Sequence, residues 1–207
     1  MLEVNKSLNL TAIKEEKAVI LKHYVDSLTV SRYIPEGSRI IDVGCGAGFP
    51  TLPLAIFRPD LTICALDGTA KRINYVSETA KMLGLTGVSA IAARAEELGT
   101  TSGYRESFHI ATARAVASLP VLCELCLPFV KVGGRMIAMK SQQASDEIGA
   151  AENCIKLCGG SISEVVSCNL KSDNGDIDER NLIIIEKIKK TPPLYPRHYS
   201  KISKKPL

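Results

Sequence analysis

The most constraining feature of this sequence is the repeated alternation of short apolar runs with longer segments of helical periodicity. Strands are predicted at residues 39–43, 62–66, 88–92, 109–113 and 135–140, and helices at 51–57, 70–83, 119–130 and 144–157. Strands separated by helices of this length join through right-handed crossovers into a mostly parallel sheet with helices on both faces. The predicted fold class is therefore α/β, with a Rossmann-like architecture.

Two further apolar segments near the C-terminus, residues 161–168 and 181–188, have no helical pattern between them. The stretch that joins them is Lys171-Ser172-Asp173-Asn174-Gly175-Asp176, which is rich in turn-forming residues. We expect an antiparallel hairpin at one edge of the sheet. The complete sheet is then seven-stranded and mostly parallel, with this C-terminal hairpin as its antiparallel part.

The chain has the size of a single domain, because 207 residues with 45% apolar content suffice for one core. A helix is expected to begin near Thr11, which can act as its N-cap. It should run to about Tyr33, before the helix-breaking Pro35-Glu36-Gly37. We predict one domain, residues 1–207, with an N-terminal helical element (1–36), a Rossmann-like core (37–190) and a basic tail (191–207).

Neither a membrane span nor a secretory signal is visible in the sequence. No run of about 18 or more apolar residues occurs, and the N-terminus lacks the basic-then-apolar layout of a signal peptide. We expect a soluble, cytoplasmic protein that acts as a monomer, with neither DNA nor a membrane as a partner.

The seven cysteines are too scattered, and the domain too large, to require a disulfide framework. Cys123 and Cys126 have C-x-x-C spacing, and Cys154 and Cys158 are close together, which could suggest zinc. Both pairs fall in helix-like apolar patterns rather than on the loops that structural zinc sites favour. We therefore interpret these cysteines as reduced, small core residues, with no metal site.

The net charge is only +4, but the basic residues are concentrated at the C-terminal end. Residues 187–207 contain no acidic side chain and the following basic ones: Lys187, Lys189, Lys190, Arg197, Lys201, Lys204 and Lys205. Such a segment could hold a polyanion such as RNA. A solvated, partly disordered tail is the alternative interpretation.

The first predicted strand runs directly into Gly44-Cys45-Gly46-Ala47-Gly48, and a helix follows. In an open parallel sheet the ligand binds beyond the carboxyl ends of the strands, so the topology makes this loop a binding site. Glycines let the backbone approach a ligand closely and adopt positive φ. A glycine loop alone is also typical of a tight turn, and its position after the first strand is what favours a ligand.

The spacing of the loop favours S-adenosylmethionine over a nicotinamide cofactor. The third glycine of the dinucleotide fingerprint G-x-G-x-x-G would fall on Phe49, whose ring would crowd the pyrophosphate. The form D-x-G-x-G-x-G instead places Asp42 just before the loop, where it can neutralise the methionine ammonium directly or through water. An anionic pyrophosphate would be repelled by that carboxylate.

Two more cofactor contacts are predicted at the ends of the second and third strands. Asp67 ends the second strand, where it can accept both ribose hydroxyls; an N-cap for the helix that opens at Thr69 is the alternative. After the third strand, the segment Ala93-Arg94-Ala95-Glu96-Glu97 could face the adenine through backbone groups. Glu96 could equally be only a residue in the first turn of a helix.

Several segments, in order along nearly the whole chain, resemble one family, the bacterial small-subunit rRNA guanine-N7 methyltransferases known as RsmG or GidB. The matching segments are Asn9-Leu10-Thr11-Ala12-Ile13, His23 with Asp26-Ser27-Leu28, Asp42 to Pro50, Arg94-Ala95-Glu96-Glu97, Arg114-Ala115-Val116-Ala117, Tyr195-Pro196-Arg197 and Pro206-Leu207. The resemblance implies S-adenosylmethionine as cofactor and 16S rRNA or the small ribosomal subunit as partner. It also implies cofactor contacts at Gly44, Phe49, Ala95, Glu96 and Arg114.

The sequence departs from the family in three places. Thr51 stands where the family usually has a further glycine, and residues 198–203 lack the family's usual glycine and proline. The family also has another helix ahead of Asn9, so we expect either a missing lid element or a start assigned too late.

If the acceptor is guanine N7, its lone pair attacks the methyl group directly and no general base is required. Catalysis then consists of placing N7 in line with the methyl group and excluding water. Residues 111–114, Ala-Thr-Ala-Arg, are not the Asn/Asp-Pro-Pro-aromatic motif used on exocyclic amines, and Cys45 in the loop is a poor nucleophile for ring-carbon chemistry. The candidates on the substrate side are Arg114, Lys140, His23, Asp26 and Arg197.

Other functions remain open at this point. The same cleft could serve a methyltransferase acting on another RNA base, a protein or a small molecule. A ribosome-binding protein with a vestigial cofactor site is a further alternative, although Asp42, Gly44, Gly46, Gly48 and Asp67 are all present. A nicotinamide dehydrogenase is the least favoured because of Phe49.

Overall fold

A computed structural model of the chain describes residues 1–114, 117–141 and 144–207. Seven strands in these ranges form one sheet in the order β3-β2-β1-β4-β5-β7-β6. The strands are β1 (Arg39–Val43), β2 (Thr62–Asp67), β3 (Val88–Ala92), β4 (Phe108–Arg114), β5 (Val130–Ser141), β6 (Gly160–Lys171) and β7 (Ile177–Lys187). The first five strands are parallel, and β7 pairs antiparallel with both β5 and β6. The predicted α/β fold with its C-terminal hairpin is confirmed, and β7 is the inner strand of that hairpin.

The chain reverses its direction of strand addition at β1, which has β2 on one side and β4 on the other. This reversal opens a crevice beyond the carboxyl ends of the central strands. The described α-helices are α1 (Leu2–Leu8), α2 (Glu16–Val19), α3 (Asp26–Leu28), α4 (Thr51–Phe57), α5 (Ala70–Met82), α6 (Ala95–Leu98), α7 (Leu119–Cys126), α8 (Ala144–Leu157) and α9 (Tyr199–Lys204).

Hydrophobic side chains fill both faces of the sheet. On one face, Ile41 and Val43 of β1 pack with residues of α7 and α8. On the other face, Ile40 packs with Leu54 of α4 and with Val30 from the N-terminal element. Because successive side chains of a strand point to opposite faces, the apolar run of β1 serves both layers.

The four cysteines considered for zinc, Cys123, Cys126, Cys154 and Cys158, are fully buried on the α7 and α8 side of the sheet. Burial raises the pKa of the Cys126 thiol well above its ordinary value, which keeps it protonated. Within the described residues, no group of three or more His, Cys, Asp or Glu side chains is arranged to hold a metal ion. In the same ranges, no helix combines the length and the apolar character needed to cross a bilayer.

The N-terminal element differs from the single helix expected from Thr11 to Tyr33. Helix α2 begins at Glu16, and the N-cap is Glu15, whose carboxylate accepts hydrogen bonds from the Lys17 and Ala18 N–H groups. Thr11 does not cap α2; its hydroxyl accepts the Ile13 N–H at 3.1 Å and lies 2.8 Å from His23 Nε2. Between α2 and α3, Ile20–Val25 forms a π-helical segment. A separate helix, α1, precedes Asn9.

The predicted helix 119–130 is too long. Helix α7 ends at Cys126 and is followed by a 3-10 turn, Leu127–Phe129, and then by β5. Pro128 explains the early end, because proline lacks the N–H donor that the next helical hydrogen bond would need.

The basic tail is an ordered part of the domain, so the interpretation as a partly disordered segment is wrong. Arg105 donates hydrogen bonds to the carbonyl groups of Gly99, Thr191, Pro192 and Tyr195. Further on, α9 inserts the fully buried Ile202 between Val121 and Leu125 of α7.

Candidate active site

The glycine loop after β1 is fixed to its neighbours on both sides. Gly44, Gly46 and Gly48 all have positive φ, with values of 76°, 56° and 86°. The N–H groups of Gly44 and Cys45 donate to the Leu66 carbonyl of β2 at 2.7 and 3.0 Å. A Cβ atom on Gly48 would lie 2.6 Å from Leu52 Cδ1, so glycine there allows α4 to pack directly on the loop.

Asp42 lies underneath this loop rather than in the crevice. Its carboxylate accepts hydrogen bonds from the Thr51 hydroxyl at 2.6 Å and the Thr112 hydroxyl at 3.1 Å, and only 1% of the residue is exposed. Burial raises its pKa to about 6, although both threonine hydrogen bonds oppose that effect. Asp42 therefore ties the loop and α4 to β4, and it lines none of the three cavities described below.

Asp67, at the end of β2, lies where two cavities of the crevice meet. One oxygen accepts the Thr69 N–H at 2.8 Å, and the other accepts the Gly46 N–H at 3.1 Å and lies 3.5 Å from Arg72 Nη1. Thr69 itself is the N-cap of α5, so Asp67 does not have the capping role considered above. Each carboxylate oxygen retains capacity for a further hydrogen bond.

Three cavities surround this crevice. Cavity A, of about 250 Å³, lies beyond β2 and β3 and is lined by Gly44, Asp67, Arg94, Ala95, Glu96 and Tyr199, among others. Cavity B, of about 330 Å³, is lined by Thr11, His23, Gly44, Phe49, Asp67, Arg72 and Arg114, among others. Cavity C, of about 310 Å³, includes His23, Asp26, Arg114, Lys140 and Arg180. Cavities A and B share Gly44, Asp67 and Arg72, and cavities B and C share His23 and Arg114.

Phe49 joins the glycine loop to the N-terminal element. The His23 ring stacks on the Phe49 ring with centroids 4.8 Å apart, and the Tyr24 ring meets Phe49 edge-on at 5.2 Å. The Arg114 guanidinium lies 5.4 Å from the same ring. This cluster makes Phe49 a wall of cavity B, and it explains how the π-helical segment that carries His23 reaches the crevice.

Arg114 is the centre of a hydrogen-bond network between cavities B and C. Its guanidinium donates to Asp26 Oδ2 at 2.9 Å, to the Lys22 carbonyl at 3.0 Å and to His23 Nδ1 at 3.2 Å. His23 Nδ1 also lies 3.1 Å from the Lys22 carbonyl oxygen, and His23 Nε2 lies 2.8 Å from the Thr11 hydroxyl, so both ring nitrogens have polar partners. Burial, together with the Arg114 charge, lowers the pKa of His23 and keeps the ring neutral.

Cavity C contains a second arginine that the sequence did not single out. Arg180 of β7 lies 3.4 Å from Asp26 Oδ1, so Asp26 lies between two guanidinium groups. Lys140 also lines this cavity, and its ammonium group is paired with Glu147 at 2.8 Å and with the Ala117 carbonyl at 2.9 Å. Three of the predicted substrate-side residues, His23, Asp26 and Arg114, thus lie together, with Lys140 on the same cavity.

The fifth substrate-side candidate, Arg197, lies elsewhere. Its guanidinium contacts the carboxylate of Glu124 at 2.6 and 2.8 Å, and the Glu124 side chain is fully buried in α7. The structure thus turns Arg197 inward, toward α7. The sequence pointed to the segment that contains Arg94, but it gave no sign of Arg72 or Tyr199 as lining residues. A basic or aromatic side chain on a helix carries no signal of its direction.

Solved structures with similar folds include methyltransferases. M. jannaschii TYW2, solved in complex with AdoMet, matches with a TM-score of 0.64 at 15% identity, covering 86% of this chain and 80% of that one. A SAM-dependent methyltransferase from Aquifex aeolicus matches with a TM-score of 0.59 at 15% identity, covering 89% and 98%. These similarities show the class of fold, a Rossmann-like α/β domain that solved methyltransferases also have.

Sequence comparison identifies the family within that class. The family described as GidB, rRNA small subunit methyltransferase G, matches residues 1–183. A protein of Alkaliphilus metalliredigens with the name ribosomal RNA small subunit methyltransferase G is 46% identical over 209 residues, covering 100% of this chain and 86% of that protein. Its counterpart in Acetivibrio thermocellus is 45% identical over 206 residues, covering 99% and 84%. This chain belongs to the rRNA small subunit methyltransferase G family.

Proposed function

We propose that this protein binds S-adenosylmethionine across cavities A and B and transfers its methyl group to N7 of a guanine in 16S rRNA. The observation that carries the proposal is the position of Asp67, where the two cavities meet beside the glycine loop. Similar solved structures bear the name SAM-dependent methyltransferase, and similar sequences are named for small subunit rRNA. The cytoplasm, where ribosomes are assembled, is the expected location.

The residues present fit this cofactor. Asp67 would accept the ribose hydroxyls, and Ala95 with Glu96 would meet the adenine in cavity A. In cavity B, Arg72 and Arg114 offer cationic groups for the carboxylate of the methionine part, and Phe49 closes the wall. Asp42 supports the loop from below, and a contact with the methionine ammonium would have to pass through water. When bound, the cofactor supplies an electrophilic methyl group on a sulfonium centre.

The chemistry of the site suits an acceptor that has a lone pair and no proton to lose. His23 is neutral, but both of its ring nitrogens are engaged, with Arg114 and Thr11. It therefore acts as a wall rather than as a base. Positioning the two reactants in contact can supply roughly 7–11 kcal/mol of barrier reduction without any proton transfer. Guanine N7 meets this requirement, whereas an exocyclic amine does not.

We further propose that the target nucleotide approaches through cavity C. This cavity adjoins cavity B across His23 and Arg114, and Lys22, Lys140 and Arg180 line it. Cationic side chains at this position can contact phosphate oxygens or the O6 atom of a guanine. Arg180 combines a position on this cavity with a planar guanidinium, which is paired with Asp26 and Asp178.

The test is methyl transfer from labelled S-adenosylmethionine to small ribosomal subunits or 16S rRNA from cells that lack this gene, followed by mapping of the labelled base. One new N7-methylguanine is the expected result. Label on a different nucleotide would keep the cofactor site and refute the guanine-N7 assignment. Label on protein alone would refute RNA as the substrate. An Arg180→Gln variant should lower transfer to RNA while leaving cofactor affinity, measured by calorimetry, unchanged.

A further inference from the structure

The C-terminal tail ends in a short helix that lies against the mouth of cavity A. Ile202 holds α9 to α7 by packing between Val121 and Leu125. The ion pair of Arg197 with Glu124 anchors the chain just before this helix. These contacts fix the position of Tyr199, the first residue of α9, which lines cavity A together with Leu125.

Tyr199 contacts Arg94, which lines the same cavity. The Arg94 guanidinium lies 4.6 Å from the centre of the Tyr199 ring. Arg94 Nε also contacts Glu96 Oε1 at 3.3 Å, and Arg94 Nη1 would lie 3.3 Å from a Cβ atom placed on Gly68. Arg94 therefore extends along the rim of cavity A from the end of β2 to α9.

The hydroxyl of Tyr199 is not what holds the ring there. Within the described part of the chain, the phenol oxygen has no hydrogen-bond partner, whereas the ring contacts the Arg94 guanidinium and packs against the α7 cluster. The part of the ring that lines cavity A presents an aromatic surface to any molecule bound there. Such a surface suits an adenine base, because every base has a π face that packs on an aromatic ring.

We propose that Tyr199 is a cofactor-binding residue, and that with Arg94 it forms a wall for the adenosine part of S-adenosylmethionine. This inference rests on the proposed cofactor site in cavity A. The C-terminal tail would then contact the cofactor, whereas the positive charge of the tail had indicated RNA as a possible ligand. The polar edge of that site is formed by Asp67 and Glu96, and the Tyr199–Arg94 pair forms its aromatic side.

The test is isothermal calorimetry with S-adenosylmethionine, S-adenosylhomocysteine and methylthioadenosine. Losing a base–aromatic contact costs on the order of tenfold in affinity, equal to ~1.4 kcal/mol. Tyr199→Ala and Tyr199→Leu should therefore both bind about tenfold more weakly, because leucine restores the packing against Leu125 but not the aromatic face. Tyr199→Phe should bind within about twofold of the wild type. Methylthioadenosine lacks the amino-acid part of the cofactor. Its affinity should fall in the Tyr199 variants by the same factor as that of S-adenosylmethionine.

Two further variants separate the outcomes. Lys201→Ala changes an exposed residue of the same helix outside the cavity and should bind normally. Asp67→Ala should lose affinity if the cofactor site is correct. If Tyr199→Ala and Tyr199→Leu bind S-adenosylmethionine normally and Asp67→Ala binds it more weakly, Tyr199 does not contact the cofactor, although the proposed cofactor site stands. Normal affinity in the Tyr199 variants and in Asp67→Ala would refute both the role of Tyr199 and the proposed cofactor site.

Discussion

The ion pair between Glu124 and Arg197 makes a strong prediction about the stability of the C-terminal tail. The Glu124 side chain is fully buried and that of Arg197 is 19% exposed. Arg197 donates to Glu124 from its backbone N–H at 2.8 Å, from Nε at 2.8 Å and from Nη2 at 2.6 Å. Arg197→Ala removes the two side-chain bonds and leaves a carboxylate in an apolar surrounding.

Removing one partner of a buried ion pair lowers the free energy of unfolding by roughly 3–5 kcal/mol. Because Arg197 is partly exposed, water can enter the space that it leaves, so we expect the lower end, about 3 kcal/mol. For a domain of this size each kcal/mol lowers the melting temperature by about 2–4 °C, which predicts a decrease of about 6–12 °C in scanning calorimetry. The double variant Glu124→Leu, Arg197→Met removes both charges together and should recover most of that loss.

A matched control is Lys17→Ala, which breaks an ion pair with Asp173 that is about three-quarters exposed on both sides. Surface pairs of this kind contribute little, so its melting temperature should not change measurably. A decrease of less than about 2 °C for Arg197→Ala would refute the anchoring role. Reduced RNA methylation without any loss of stability would instead support Arg197 as a substrate contact.

Three more predictions concern the loop, the buried carboxylate and the arginine of the network. Gly48→Ala should lower the free energy of unfolding by about 2 kcal/mol or more, because alanine must adopt φ of +86° with its Cβ against Leu52. It should also weaken cofactor binding in calorimetry. An unchanged unfolding midpoint would contradict this prediction. Burial raises the pKa of Asp42 from 3.8 to about 6, so its contribution to stability is complete below about pH 4 and declines as the pH rises through 6. The wild type should therefore lose about 2–3 kcal/mol of unfolding free energy relative to Asp42→Asn between pH 4 and 7, as measured in urea titrations. If the difference between the two proteins does not change with pH, Asp42 titrates normally. Arg114→Lys keeps the charge but loses the planar fork shared by Asp26 and His23, so methyl transfer should fall at least tenfold, as measured with labelled cofactor; near-normal transfer would mean that charge alone suffices.

The sheet and the cofactor loop could be predicted because their signals are local. A strand buried on both faces is an apolar run, so β1 was predicted with the bounds that the structure shows. The bounds of β3, a half-exposed strand at the sheet edge, were also predicted correctly. The alternation with helices fixed the parallel order, and the order placed Gly44 and Asp67 at the same end of the sheet. Position along the chain was enough to bring these two residues together.

The side-chain network around Arg114 could not be predicted in the same way. Asp26 and Arg114 are distant in sequence, and they meet only because the N-terminal element folds across the carboxyl ends of the strands. The π-helical segment Ile20–Val25 adds a residue to the helical turn and changes the direction of His23. No periodic pattern in the sequence reports such a change, so the resemblance to a family, rather than the residues themselves, pointed to Arg114.

The tail shows most clearly why a count of charges does not define a surface. Lys187, the first of the basic residues counted there, is 1% exposed, and its ammonium group donates to the Leu127 carbonyl at 2.6 Å and to the Thr191 hydroxyl at 2.7 Å. Burial lowers its pKa to about 8, and Glu106 limits the decrease. Lys187 and Arg197 thus use their charge inside the domain, where it orders the segment that carries Tyr199. Any RNA contact of the tail therefore depends on its exposed lysines, such as Lys201 and Lys204, and charge alone could not distinguish these from the buried ones.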